Sequence, residues 1–159
     1  MSEPRERPVA IQSGAVTPRT STLYPEPFAS QVAGRAKRVL GDLFGLGAFG
    51  VNLARLAPGT CSSMRHAHSH EDEFVFVLEG SPTLVTGAGE TELQPGMCAG
   101  FAAGSGDAHQ LVNRGDTDVV YLEIGSRHAD DHVQYPDDDL ALRRIDGQFR
   151  YFHKDGQPY

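Results

Sequence analysis

The chain has 159 residues, a length that fits one domain and allows a stable core without disulfide bonds or structural metal ions. Its 21 aspartates and glutamates outnumber its 14 lysines and arginines, giving a formal net charge of -7, and no basic stripe appears. This charge argues against a nucleic-acid-binding surface, because phosphate binding needs clustered lysine and arginine. No apolar run approaches the roughly 20 residues of a membrane-spanning helix. We therefore expect neither nucleic acid nor membrane as a partner.

The composition indicates an all-β domain. The chain contains 18 glycines and 10 prolines, spread along its length, and apolar residues almost never recur with helical spacing. Its two cysteines, Cys61 and Cys98, lie in predicted strands without the spacing of a zinc site, and no signal-peptide pattern is apparent. We therefore expect a cytoplasmic protein in which both thiols are packed rather than reactive.

In chain order, residues 1–22 mix Pro, Arg, Ser and Thr without periodicity and predict a flexible arm or an edge strand that docks late. Residues 23–159 then form a single domain, with short strands expected before residue 46. A regular strand rhythm begins at residue 49, which is typical of a sandwich or barrel. Alternating patterns predict strands at 49–58, 62–68, 73–80, 97–103, 109–113 and 119–127, and a hairpin at 83–96 that turns at Gly87-Ala88-Gly89. The acidic tail from residue 128 is predicted to form a solvated loop or short helix and a final outer strand.

The segment RHAHSHEDEFVFVLEG, residues 65–80, carries the chemistry. Residues two apart on a strand face the same way, so His66 and His68 present both imidazoles to one side. Glu73 has the opposite parity and rejoins that side only if the chain turns between Ser69 and Asp72. A strand beginning at Glu73 directs Val75 and Val77 inward and buries Phe74, Phe76 and Leu78 on its other face.

His109, in HQLVN, supplies a third imidazole. Three neutral imidazoles and one carboxylate suit one divalent Mn, Fe, Co, Ni, Cu or Zn ion and leave one or two positions free for water or substrate. His70 continues the alternation and replaces His68 if the strand register slips. Asn113, on the same face as His109, is predicted to tie a turn rather than to bind the ion.

These residues resemble the first signature motif of the cupin superfamily, which is a glycine, five residues, His-x-His, three or four residues, Glu, six residues and Gly. Here Gly59 precedes His66 by one residue more than in the motif. The pair His66-x-His68, the four-residue gap to Glu73 and the six-residue gap to Gly80 all match.

The second cupin motif is Gly, five residues, Pro-x-Gly, two residues, His, three residues and Asn. Gly96 and Ala102-x-Gly104 resemble its start, with alanine in place of proline. Four residues rather than two then precede His109-x3-Asn113. Both departures fall in turns and not on ligands, so the chain is similar to small single-domain cupins over roughly residues 40–125.

The resemblance implies a double-stranded β-helix, or jelly-roll barrel, with the metal inside the barrel mouth. It implies a metal-dependent oxidoreductase, lyase or isomerase that acts on a small oxygenated or carboxylate-bearing metabolite. The alternative is a non-catalytic cupin that binds or senses a small molecule. A metal-free sugar-nucleotide isomerase is disfavoured, because such cupins usually lack the full ligand set.

Two further expectations concern surfaces. The pocket wall is expected to be apolar, formed by Met64, Val75, Val77 and Leu111, and no general acid or base can be named from the sequence. The outer face of the strand at 73–80 exceeds what one small domain can cover, which predicts a homodimer formed by sheet packing or by exchange of the N-terminal arm.

Overall fold

The described part of the chain is almost entirely β-structure. A computed structural model describes residues 7–159. Within that range the chain has one four-residue helix, α1 (Phe28–Gln31), and two 3-10 helices at Ser13–Ala15 and Gly41–Phe44. The strands are β1 (Arg35–Val39), β2 (Phe49–Leu56), β3 (Ala67–His68), β4 (Glu73–Glu79), β5 (Thr83–Thr86), β6 (Gly89–Glu92), β7 (Cys98–Phe101), β8 (Gln110–Val112), β9 (Val119–Ser126), β10 (Val133–Gln134), β11 (Ala141–Ile145) and β12 (Gln148–Phe152).

The strands form three antiparallel sheets, which confirms the all-β prediction. Their orders are β1-β2-β9-β4-β7, β12-β11-β10-β3 and β6-β5-β8. The hairpin predicted at 83–96 is present as β5 and β6, which pair from Thr83↔Glu92 to Thr86↔Gly89. The strand predicted at 62–68 is regular only over β3. Across residues 7–159 the structure contains no helix with the length and apolar character needed to cross a membrane.

The register of the five-stranded sheet decides which side chains face the interior. Lys37 of β1 is in register with Ala54, Tyr121 and Val77 on the three following strands. Since alternate residues share a face, Glu73 and Val75 of β4 and Glu123 of β9 point the same way. Val75 and Val77 are buried, at 6% and 0% exposure, as predicted. The inner face of this sheet therefore mixes apolar side chains with several charged ones.

Two apolar clusters flank the interior. One fills the space between the five-stranded and three-stranded sheets. The other joins the N-terminal segment to the C-terminal tail through Tyr24, Phe28, Met64, Tyr135 and Leu140. The tail ends in the mostly exposed edge strand β12, which agrees with the predicted final outer strand. It also contributes an unpredicted strand to the sheet that carries His68, because β10 pairs with β3.

Residues 7–22 include the described part of the predicted arm. The backbone of Arg19 exchanges two hydrogen bonds with Lys37 of β1, at 2.8 and 3.0 Å, and the Arg38 side chain donates to the Val16 carbonyl over 2.9 Å. The flexibility of this segment stays a prediction. Its position places Arg19 beside β1, the edge strand of the five-stranded sheet.

Two motif residues have structural roles. Gly80 has a φ of 74°, and a Cβ there would come within 2.5 Å of the Asp118 carbonyl oxygen, so only glycine fits between β4 and β9. Asn113, 1% exposed, donates to the carbonyls of Leu56 and Thr117 over 2.9 and 2.8 Å and accepts from the Gly115 amide. The prediction that Asn113 ties a turn is correct.

Two burial predictions are wrong. Phe74 and Leu78, expected to be buried on the outer face of β4, are 39% and 41% exposed. Cys61 is buried as expected, but Cys98 is exposed, because it pairs with Phe76 and shares its outward direction. The outer face of the five-stranded sheet is therefore apolar and accessible.

Candidate metal centre

The two cupin-like segments meet through a backbone contact. His66 and His109 form an isolated antiparallel bridge in which each amide donates to the other's carbonyl, at 3.1 and 2.9 Å. His68 follows on β3, and Glu73 begins β4 after the turn that the polar Ser69–Asp72 stretch allows. Segments more than 40 residues apart are thereby held together by main-chain geometry.

The side chains of these residues converge on one carboxylate oxygen. Oε2 of Glu73 lies 2.9 Å from Nε2 of His109 and 3.5 Å from Nε2 of both His66 and His68. The donor atoms of His66, His68 and Glu73 all lie within 4.8 Å of one another, whereas His109 joins them through its contact with Glu73. Ligand atoms about 2 Å from a shared ion are roughly 3 Å apart, so these separations fit coordination of one ion.

Hydrogen-bond acceptors beside Nδ1 determine which ring nitrogen of His66 and His68 faces the cluster. Nδ1 of His66 lies 2.9 Å from the Met64 carbonyl oxygen, and Nδ1 of His68 lies 2.6 Å from Oδ2 of Asp131. Both acceptors require a proton on Nδ1, so the neutral rings direct an Nε2 lone pair at Glu73. His109 is held differently, by stacking on Phe101 with the ring planes 3° apart.

A cation satisfies this arrangement. Oε2 of Glu73 is buried and accepts no hydrogen bond of acceptable geometry from any described residue, although the His109 nitrogen is 2.9 Å away. Lone pairs that face an ionised oxygen repel it, whereas a positive ion between them turns the same geometry into coordination. The donor set of imidazole nitrogens and one carboxylate therefore fits a divalent transition-metal ion.

The charge state of Glu73 agrees with this interpretation. Burial raises the pKa of its carboxyl, but protons on the adjacent His109 and His66 rings more than offset that effect and hold the pKa well below its usual range, and a bound cation would take the place of those protons. Glu73 is thus an ionised carboxylate inside the domain, as a metal ligand must be.

Asp131 is a site residue that the sequence analysis missed. It belongs to the acidic stretch predicted to be solvated, yet it is only 7% exposed. Besides accepting from His68, its carboxylate accepts the backbone amides of His70 and Glu71, at 2.9 and 3.2 Å. Asp131 thus ties the turn after β3 and orients the His68 ring at the same time. No spacing relative to the other ligands marks it, because it arrives through the pairing of β10 with β3.

His70 lies outside the cluster. Its ring is exposed, has Nδ1 2.7 Å from the Ser69 hydroxyl, and stacks on His128 with the ring centroids 4.8 Å apart. The structure therefore places His68, and not the register-shifted alternative, beside Glu73.

A cavity of about 370 Å³ opens beside the cluster, and its wall is more polar than expected. Val75 and Leu111 line it as predicted. Met64 and Val77 do not, because they are buried in the two apolar clusters. Their places are taken by charged groups and by four tyrosines. The charged groups are Arg19, Arg35, Lys37 and Glu123, and the tyrosines are Tyr24, Tyr121, Tyr135 and Tyr151.

Glu123 and Lys37 form an ion pair in this cavity. Nζ of Lys37 lies 2.7 and 2.9 Å from the two carboxylate oxygens of Glu123, and Asn52 donates a third hydrogen bond over 2.9 Å. Burial raises the pKa of Glu123, but Lys37 and Asn52 together lower it below its ordinary value. The cavity therefore holds a second ionised carboxylate, which the His66–Glu73 cluster does not engage directly.

Comparison with known proteins identifies the family. The sequence profile described as a cupin domain matches residues 52–125. The chain is 39% identical to a sugar phosphate isomerase of the cupin superfamily from Silicibacter pomeroyi, with a TM-score of 0.89 over 94% of this chain and 96% of that one. It is 33% identical to a putative sugar phosphate isomerase from Acidithiobacillus ferrooxidans, with a TM-score of 0.70 over 79% and 80% of the two chains. A predicted oxalate decarboxylase from Thermotoga maritima, 18% identical with a TM-score of 0.58 over 75% of this chain and 99% of that one, shares the fold alone.

None of the curated proteins compared with the chain matches it. The similarity over nearly the whole length nevertheless shows that the chain belongs to the cupin superfamily, and its antiparallel sheets are those of a jelly-roll barrel.

Proposed function

We propose that this chain is a metal-dependent isomerase that interconverts the aldose and ketose forms of a phosphorylated sugar. The observation that carries the proposal is the presence, in one cavity, of two ionised carboxylates with different surroundings. Glu73 faces three imidazoles, whereas Glu123 faces a lysine. The two relatives described as sugar phosphate isomerases, one of them matched over nearly the whole chain, support the choice of reaction.

His66, His68, Glu73 and His109 are the proposed ligands of one divalent ion. When bound, the ion supplies positive charge that stabilises negative charge developing on the substrate oxygens. The four residues hold it on a rigid framework, since His66 and His109 are joined through their backbones. Asp131 keeps the His68 lone pair directed inward.

Glu123 is the proposed base. Aldose–ketose interconversion removes a proton from the carbon beside the carbonyl, passes through an enediol and returns a proton to the neighbouring carbon. The hydroxyl proton moves between the two adjacent substrate oxygens, so no electrons or further reactants are needed. Glu123 is suited to carry the carbon-bound proton, because Lys37 keeps it ionised and because it faces the cavity.

The test begins with elemental analysis of protein purified without added metal. The protein is then stripped with a chelator, reloaded separately with Zn, Mn, Fe, Co, Ni or Cu, and assayed with a panel of pentose and hexose monophosphates. NMR in deuterated water follows deuterium entry at the carbon beside the carbonyl. We expect ion-dependent interconversion with deuterium incorporation.

Variants separate the roles. Replacing His66 or Glu73 by alanine should abolish ion uptake. Glu123→Gln should retain the ion and lower kcat by roughly 10²- to 10⁴-fold. Glu79→Gln, an exposed carboxylate on β4, is the matched control and should keep full activity. Ion uptake that survives His66→Ala contradicts the metal site. Binding of sugar phosphates without turnover in any metal form contradicts the isomerase and favours a non-catalytic binding cupin.

We also propose a homodimer formed through the outer face of the five-stranded sheet. Phe49, Phe74 and Leu78 are each about two-fifths exposed there, at 41%, 39% and 41%. The register places Val51 and Ile124 in the same row as Phe74, so the apolar side chains are contiguous across three strands. A second copy of the chain can cover this face symmetrically by packing its own equivalent sheet against it.

A further inference from the structure

Arg35 is a cation whose charge is not matched by a carboxylate. Four arginines form ion pairs in the described part of the chain, namely Arg55, Arg65, Arg114 and Arg127, and Arg35 is not among them. Its guanidinium donates to the Ser62 carbonyl oxygen, which carries only a partial charge. The side chain is also partly buried. A half-buried guanidinium keeps most of its donors and its full charge available for a ligand.

Arg35 faces the cavity that holds the metal cluster. It lies on β1 two residues before Lys37, and both line that cavity. Lys37 is neutralised by Glu123, so the positive charge of Arg35 remains. Arg19, at the mouth of the cavity, adds a second cation on the same side.

The groups around Arg35 are neutral donors. Burial raises the pKa of Tyr24 and Tyr151, and the positive charge of Arg35 opposes this effect without reversing it. Burial likewise raises the pKa of Tyr121 well above its ordinary value. These phenols therefore stay protonated and leave the charge of Arg35 unbalanced.

Tyr121 provides an independent sign of a ligand. It is 0% exposed and lines the cavity, yet its hydroxyl has no hydrogen-bond partner among the described residues. The Ser62 hydroxyl is near enough to influence the pKa of Tyr121, but it accepts the Leu111 amide over 2.9 Å and makes no well-oriented bond with the phenol. A buried, unpaired hydroxyl costs stability unless something else completes it.

We propose that Arg35, with Arg19 at the cavity mouth and the Tyr121 hydroxyl, binds the phosphate group of the substrate while its sugar carbons lie toward Glu123 and the metal cluster. This assignment rests on the proposed function for the choice of phosphate over another anion. The planar fork of a guanidinium matches two phosphate oxygens, and a cavity of about 370 Å³ lies in the range that holds small metabolites. The phosphate end and the reacting end of the substrate are thereby assigned to different residues.

The test measures binding and needs no turnover. Glycerol 1-phosphate is titrated into the metal-loaded protein by calorimetry and ³¹P NMR, with glycerol as the unphosphorylated comparison. Arg35→Gln is expected to weaken glycerol 1-phosphate binding by about tenfold to a hundredfold while the ion content stays unchanged. Arg55→Gln, which removes an exposed arginine from the neighbouring strand, should change the affinity by less than about twofold.

A second pair of variants guards against a folding defect. Arg35→Lys keeps the charge but loses the fork and should give an intermediate loss, whereas Tyr121→Phe removes only the unpaired hydroxyl. Circular dichroism melts establish that each variant is folded. Equal affinity of folded Arg35→Gln or Arg35→Lys and the parent protein overturns the assignment. Loss of binding in these variants together with absent isomerase activity supports the phosphate site and counts against only the proposed reaction.

Discussion

Nδ1 of His68 and Oδ2 of Asp131 are 2.6 Å apart, and this contact joins the candidate metal cluster to the tail that follows the barrel. The carboxylate fixes the ring tautomer and its orientation, so the other nitrogen faces Glu73. Asp131 is thus a positioning residue, which lies two residues before β10, the strand that pairs with β3.

Replacing Asp131 by asparagine should weaken metal binding by roughly 10- to 100-fold, because the ring of His68 loses its ionic acceptor. The measurement is competition with a chromophoric chelator. Asp130→Asn, which changes an exposed neighbour, should bind metal like the parent. Unchanged affinity in the Asp131 variant would show that His68 does not depend on this contact.

Glu123 makes the free energy of unfolding depend on pH. Replacing Lys37 by methionine should reverse the direction of that dependence. In the parent, the pKa of Glu123 is below its ordinary value. The unfolded chain therefore binds more protons than the folded chain as the pH falls. The stability that ionised Glu123 contributes is fully present above about pH 4.3 and is lost as the pH falls through the folded pKa. Without Lys37, burial dominates and raises the folded pKa, so the contribution declines as the pH rises above about 4.3.

The measurement is the free energy of urea unfolding of metal-free protein between pH 4 and pH 7. The gap between the parent and Lys37→Met should widen as the pH rises. Adding Glu123→Gln to both chains should remove the pH dependence of that gap. A gap that stays constant across the range would refute the proposed coupling.

Replacing Asn113 by alanine should destabilise the fold by about 2–4 kcal/mol, because three hydrogen bonds of a fully buried amide are lost. Urea unfolding measures the change. Gln94→Ala removes an exposed amide and should change the free energy of unfolding by no more than about 0.5 kcal/mol. Similar losses in the two variants would mean that Asn113 has no special role in the turn.

Replacing Phe74 by glutamate should convert the proposed homodimer into a monomer, because a charge in the centre of an apolar sheet interface is left unpaired. Light scattering at micromolar concentration gives the mass directly. Phe149→Glu is the matched control, since Phe149 is similarly exposed, at 44%, but lies on β12 of another sheet. A monomeric parent protein would contradict the dimer itself.

The sequence predicted those parts of the site that local periodicity determines. Alternation placed His66 and His68 on one side, and the turn at Ser69–Asp72 brought Glu73 to them, as the structure confirms. Both depend on neighbouring residues and on the strand period of two. The all-β class followed from the same alternation.

The sequence did not predict the polar half of the cavity. No local pattern distinguishes Arg35, Lys37 and Glu123, because the register between β1, β2 and β9 is what brings their side chains to the same cavity. Asp131 likewise depends on a two-residue strand pairing that no local pattern marks. Long-range pairing decides such positions, and a single sequence carries little information about it.

The cavity is assembled from segments inside and outside the stretch that matches the cupin domain. The imidazoles and Glu73 come from the stretch at residues 52–125 that matches the cupin domain, whereas Arg19, Arg35 and Lys37 precede it and Tyr135 and Tyr151 follow it. The cluster itself also depends on the flanks, because Asp131, which orients His68, follows the matched stretch, and Lys37, which pairs with Glu123, precedes it. Exchanging the flanks between related barrels would therefore change the residues that position the cluster along with the wall of the cavity.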